Sequence, residues 1–268
     1  MIKDFTLGQY LPTGSLIHKL DPRVKLCLLI LVLIIIFCAT NLFSLLFLSV
    51  GVFAVLLISK ISLRVYLKNL KVIIPIIIIT MLLNLLYTTD GTVLLEFWKI
   101  KITTGGITRS VFMGGRVIIL ILIGSTLTYT TTPNDLTDAI ERLLSPLKFI
   151  GLGTAIHAMS MMMTIALRFI PTLVEETDKI ISAQKARGAD FENGKLKDRI
   201  KAIIPILIPL LISSVRRAYE LAEAMESRCY NGGVGRTRMK VLKICSNDIF
   251  AVIMVVICCA AVFLINLL

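Results

Sequence analysis

Between Lys25 and Lys60 the chain runs for 34 residues without a charge. As one helix this run would reach about 51 Å at 1.5 Å per residue. The hydrocarbon core of a bilayer is about 30 Å thick. The run must therefore fold back, and Thr40-Asn41 is its polar point. Two short spans are expected, near 24–40 and 42–59.

Composition supports the membrane reading. Hydrophobic residues make up 56 % of the 268 and charged residues only 17 %, and mean hydropathy is +0.88. A water-soluble globule of this size could not hide so much apolar side chain, and disordered chains are poor in it. A third span is expected from Val72 to Thr89, with Pro75 in its first turn, where a missing N–H costs least. A fourth runs from Val111 to Thr132, with Arg116 near its start and able to snorkel to the interface. The last runs from Ile249 to Leu268.

Two apolar runs, 149–167 and 202–215, are ambiguous. If both crossed, the stretch 168–201 would lie outside with eight basic residues, which the positive-inside rule opposes. Both runs are therefore placed at or under the membrane on the cytoplasmic side. Five spans remain, with the N-terminus inside. Segments 1–25, 60–71 and 133–248 then hold 25 of the 29 Lys and Arg. The net charge of +12 thus reads as membrane topology, and no nucleic-acid partner is expected. The expected fold is an all-α integral membrane protein. It comprises an N-terminal bundle (1–132), a cytoplasmic region (133–248) and a C-terminal transmembrane helix (249–268).

The outer loop 90–110 carries an Asp90-Gly91 turn signal and a loose polar–apolar alternation over Leu94–Thr103. It reads either as a small hairpin or as a plain connector. The six cysteines lack metal-ligand spacing and only two histidines are present, so no metal site is expected.

The cytoplasmic region contains two long helices that look like weak copies. Leu167 to Arg187 shows helical periodicity, and a second helix runs from about Asp198 to Tyr230. Ile170-Pro171-Thr172-Leu173 resembles Ile208-Pro209-Leu210-Leu211, and Ala183–Gly188 resembles Ala224–Cys229. Each copy ends on a small residue, an arginine and another small residue: Ala186-Arg187-Gly188 and Ser227-Arg228-Cys229. A cation there also complements the helix dipole, and Gly188 suits a left-handed cap. Two such ends in one repeated frame point further. Small neighbours allow close approach, and a guanidinium can make a fork to a carboxylate. Matched plugs imply a partner with two matched sockets. Cys229 departs from glycine, which weakens the cap argument at the second end.

These features resemble the transmembrane T component of energy-coupling factor (ECF) transporters, the EcfT or CbiQ-like family. The resemblance rests on Gly8–Pro12, Ser15–Leu26, Arg168–Leu173, Ala183–Ala189, Arg217-Ala218 and Ala222–Tyr230. It implies long coupling helices crossing in an X beneath a bundle of about five transmembrane helices. It implies that Ala186, Arg187, Gly188, Ser227, Arg228 and Cys229 dock into grooves on two ABC ATPase subunits, expected as a heterodimer. It also implies one or several substrate-binding S components in a bacterial plasma membrane, and vitamin uptake driven by the partners' ATP. The chain itself would be no enzyme and need no cofactor. A dedicated cobalt, nickel or biotin module is the alternative within the family.

The residues agree. No G-x-x-x-x-G-K-[ST], H-E-x-x-H or G-x-S-x-G occurs. Met159, Met161, Met162 and Met163 form a soft apolar face that fits an adaptable S-component contact, or else packs on the chain's own spans. A self-contained permease would need inward polar groups, for which only Thr80, Asn84 and Thr126 offer themselves. His18 and Asp21-Pro22-Arg23 read as an interfacial turn without chemistry.

Overall fold

The computed structural model describes residues 10–88, 90–97, 100–151, 153–189, 196–232 and 244–267. It is helical apart from one small hairpin, and the described residues form two compact units. One is built from residues up to 136 together with the C-terminal helix. The other is built from residues 137 to 232.

The first unit opens with α1 (Leu16–Lys19) and α2 (Pro22–Cys38). Asp21 caps α2 by accepting from the Arg23 N–H, and Pro22 takes the first helical position, where its missing donor is harmless. The uncharged run breaks at 39–41, and α3 follows as Leu42–Ser59. Lys60 ends it in a left-handed conformation. Next come α4 (Leu63–Tyr87), strands β1 (Val93–Phe97) and β2 (Ile100–Thr103), α5 (Thr104–Thr130) and the start of α6 (Pro133–Leu144). The strands pair antiparallel from Val93↔Thr103 to Phe97↔Ile100, so the loop between α4 and α5 holds a hairpin. The C-terminal α9 is Ser246–Leu267.

Two expected helix starts move. α4 begins at Leu63 rather than Val72, because the cationic segment before the span continues its helix. Pro75 therefore lies in the helix interior, not in its first turn. α5 begins at Thr104, where Thr103 accepts from the Gly106 N–H. Arg116 is thus well inside the helix and does not snorkel from its start. Its Nη2 donates to Ala39 O at the end of α2 at 2.5 Å. Its guanidinium lies 4.7 Å from the Phe112 ring centre.

Small residues set the closest helix contact. On α5, Gly106, Ser110 and Gly114 recur every four residues and face α4. Ser110 Oγ donates to Met81 O at 2.7 Å. A Cβ on Gly114 would meet Met81 Sδ at 2.8 Å. This spacing lets backbones approach where lipid offers no hydrophobic gain. The core behind it joins Ile36, Leu48, Leu56, Tyr66, Ile119 and Val262.

Both ends of this unit are latched by polar bonds. At one end Asn266 Nδ2 donates to Cys38 O at 3.0 Å, and Asn266 Oδ1 accepts from Thr40 Oγ1 at 3.2 Å. At the other, buried Asp248 accepts from the Asp21 N–H at 2.8 Å and the Cys245 N–H at 2.7 Å. Buried Lys25 donates to Thr130 O at 3.0 Å. His18 Nε2 donates to Leu11 O at 2.8 Å, and the Leu11 N–H donates to Tyr129 O at 3.0 Å. The Asp21 region is thus a structural clasp holding α2, α5 and α9.

Five helices are long and apolar enough to cross a membrane: α3, α4, α5, α9 and α7 (Gly153–Ala186). The sequence reading counted 24–40 in place of α7. At 17 residues, α2 sits at the short limit for a span.

Candidate functional site

The second unit is dominated by α7 and α8 (Leu196–Glu226). α7 is one continuous helix of 34 residues, whereas the sequence divided it near 167. The apolar run 149–167 and the periodic segment after it have no break between them, and only Ser145–Ile150 is a tight 3₁₀ turn. Pro171, Pro205 and Pro209 are all inside helices.

The two helix ends have the same backbone. Gly188 has φ +87°, and the Ala189 N–H donates to Gln184 O at 3.0 Å. Cys229 has φ +56°, and the Tyr230 N–H donates to Met225 O at 3.0 Å. In each case a left-handed residue closes the helix and the next amide reaches back five residues, a Schellman cap. Cys229 therefore does what glycine does at the first end, although a Cβ disfavours it. Arg187 and Arg228 immediately precede these left-handed residues and are exposed. Neither guanidinium has an ion-pair or hydrogen-bond partner among the described residues. Each end presents a free cation on a fixed turn flanked by small side chains.

Between the ends, α7 and α8 are clasped. Arg217 Nη2 lies 2.7 Å from Glu176 Oε2, and Ser213 Oγ donates to the other oxygen of Glu176. Sequence reasoning did not nominate this pair. The signal was available, since Glu176 and Arg217 are related by the same 41-residue offset as Arg187 and Arg228.

The methionine face is largely open. Met159, Met162 and Met163 are exposed and Met161 is half-buried. α8 adds Leu207, Ile208, Leu211 and Ile212, all exposed and not singled out from sequence. The polar residues that a permease reading would need are occupied. Thr80 donates to Ile76 O, Asn84 to Thr80 O and Thr126 to Leu122 O, each within its own helix. Among the described residues no cluster of three His, Cys, Asp or Glu could hold a metal ion.

The sequence model of CbiQ, described as a cobalt transport protein, matches residues 13–241. The chain belongs to the CbiQ family. Curated relatives in the family carry the name energy-coupling factor transporter transmembrane protein EcfT. One from Ruminiclostridium cellulolyticum is 49 % identical over 93 % of this chain and 92 % of its own length. One from Clostridium kluyveri is 48 % identical over 94 % and 93 %. One from Bacillus subtilis is 42 % identical over 98 % of both. The match to CbiQ covers both helix ends and most of the membrane unit. With five helices long enough to cross, this CbiQ-family chain is a multi-pass membrane protein and a transporter component.

Proposed function

We propose that this chain is the transmembrane coupling subunit of an ECF-type ABC importer. It carries ATP-driven motion from two ABC ATPase subunits, a heterodimer, to one or several substrate-binding S components for vitamin uptake. The chain catalyses nothing itself, and its N-terminus lies inside a bacterial plasma membrane. α7 and α8 are the coupling helices, crossing in an X on the cytoplasmic side. Ala186-Arg187-Gly188 and Ser227-Arg228-Cys229 enter grooves on the two ATPases, and the Met159–Met163 face meets the S component. The chain divides at about 132 and 249 into bundle, coupling region and final helix.

The observation that carries this reading is the pair of matched, exposed arginine ends. A capping role would need only the backbone charge of one helix. It does not account for two unpartnered guanidiniums on the same turn, 41 residues apart. The names of the relatives support an ECF assembly. The description of the family as cobalt transport favours the alternative of a dedicated cobalt module. The two differ in which small membrane proteins accompany the chain.

The test is affinity purification from native membranes with wild type and Arg187→Glu. Wild type is expected to bring two ATPases and small membrane proteins of the S type. Arg187→Glu should lose the ATPases and keep the membrane partners. Wild-type amounts of both ATPases on the variant would overturn the docking role.

A further inference from the structure

The membrane unit contains a groove that the coupling role does not use. Its volume is about 260 Å³, and it lies among α1, α2, α3, α5 and α9. Its walls run from Lys25 to Val32 on α2, from Ile123 to Thr130 on α5 and from Asn247 to Val255 on α9. Seven or eight helical residues rise about 10–12 Å. The groove therefore extends about a third of the way across a 30 Å hydrocarbon core, from the end where α2 begins and α5 finishes. Leu16, Ile58, Phe250 and Met254 line it and are also exposed, so it is open at the surface beside α1, α3 and α9.

The lining chemistry selects the occupant. Four lining side chains carry polar atoms: Lys25, Thr126, Thr130 and Asn247. Thr126 and Thr130 spend their hydroxyl hydrogens on Leu122 O and Thr126 O. Lys25 Nζ is occupied by His18 O, Thr130 O and Thr131 Oγ1. Asn247, exposed at the start of α9, is the lining polar group left open; along the rest of the walls a water-soluble substrate finds little to bond, whereas a hydrocarbon chain loses nothing there. The mouth has the opposite character. Lys19, next to the lining residue Leu20, and Lys60, two residues after the lining residue Ile58, are exposed, while the carboxylates Asp21, Asp135 and Asp248 are not. Asp21 and Asp248 already accept hydrogen bonds. The accessible charge at the mouth is cationic, which attracts an anionic headgroup.

We propose that this groove holds one acyl chain of an anionic phospholipid, its headgroup held at the mouth by Lys19 and Lys60. The inference needs only the membrane position of the unit and is independent of what the arginine ends bind.

The experiment uses the full chain in nanodiscs doped with phosphatidylglycerol carrying a photoreactive diazirine midway along one acyl chain. After irradiation, peptide mapping reads the adducts. Adducts on residues 247–255 should exceed those on the outward stretch 72–79 of α4 several-fold. The same probe built on phosphatidylcholine should label 247–255 about fivefold less, as expected for losing an attraction to surface cations. Lys19→Gln with Lys60→Gln should abolish that difference between headgroups. Ala251→Phe, which fills the groove, should remove the enrichment. Even labelling of α9 and α4 by wild type would overturn the proposal without recourse to any variant. Equal labelling by the two headgroups would overturn the anionic choice, with a plain lipid-filled crevice as the result.

Discussion

Glu176 and Arg217 are joined at 2.7 Å, and each stands eleven residues before the arginine that ends its own helix. At 1.5 Å per residue both arms beyond this clasp measure about 16 Å. This cross-link joins matched positions, which is what makes the two arms beyond it equal.

Equal arms predict equal dependence on the two tips. Arg228→Glu should reduce ATPase co-purification about as strongly as Arg187→Glu, by roughly tenfold or more. Each reversal would set like charge against the proposed ATPase groove, which a guanidinium would suit. Arg187→Lys should fall between, since an ammonium cannot make the planar fork. A strong effect at Arg187 with none at Arg228 would make the second tip dispensable. Co-purified ATPase measured by quantitative immunoblot decides this.

The left-handed residues make a second prediction, of opposite sign at the two ends. Cys229→Gly should relieve a Cβ strain of about 1 kcal/mol and leave docking intact. Gly188→Val should cost about 1–2 kcal/mol locally and weaken docking by displacing Arg187. Amide exchange over the last turns of α7 and α8 reports the local stability.

Breaking the clasp tests whether the arms act together. Arg217→Met should destabilise by about 1–3 kcal/mol, because it leaves the half-buried Glu176 carboxylate short of its strongest donor. Glu176→Gln should cost about 1 kcal/mol. The exchange Glu176→Arg with Arg217→Glu should restore part of the loss. Additive effects in this double-mutant cycle would mean the two side chains do not interact.

The Asp21 clasp carries a pH dependence. Burial raises the pKa of Asp21, but hydrogen bonds from Arg23 and the charges of Arg23 and Lys25 outweigh it and hold the carboxyl below its ordinary 3.8. A group whose pKa is lowered on folding stabilises fully above its unfolded pKa. That contribution is lost as pH falls through the folded value. Asp21→Asn should therefore lower the thermal midpoint at pH 7. The gap to wild type should narrow only below about pH 4. A gap that changes between pH 5 and 8 would assign the effect to another group.

Much of this architecture was legible because lipid imposes strict rules. The break at Thr40-Asn41 followed from length and polarity, whereas the hairpin stayed open against a plain connector, and Asp90-Gly91 lies before β1 rather than between the strands. The helix starts were less legible, since hydropathy marks where lipid begins and not where hydrogen bonding begins. Leu63–Lys71 and Thr104–Ser110 are helical without being strongly apolar, so Pro75 and Arg116 were placed too near an end. The small-residue spacing Gly106, Ser110, Gly114 was readable and passed unnoticed. At the candidate site the repeat exposed Arg187 and Arg228 directly. It understated Cys229, because residue preference is an average and the local hydrogen bonds here override it. The Glu176–Arg217 bond needed the fold, since periodicity does not say which faces of two helices meet.

The bonds from Asn266 to Cys38 O and Thr40 Oγ1 have a consequence for biogenesis. They join the first hairpin to a residue that follows it by 226 to 228 positions. During synthesis the first hairpin is inserted long before its lock exists, and the whole stretch between must be translated while this end of the bundle stays open. Asn266→Ala should therefore leave an inserted protein whose first hairpin is never latched.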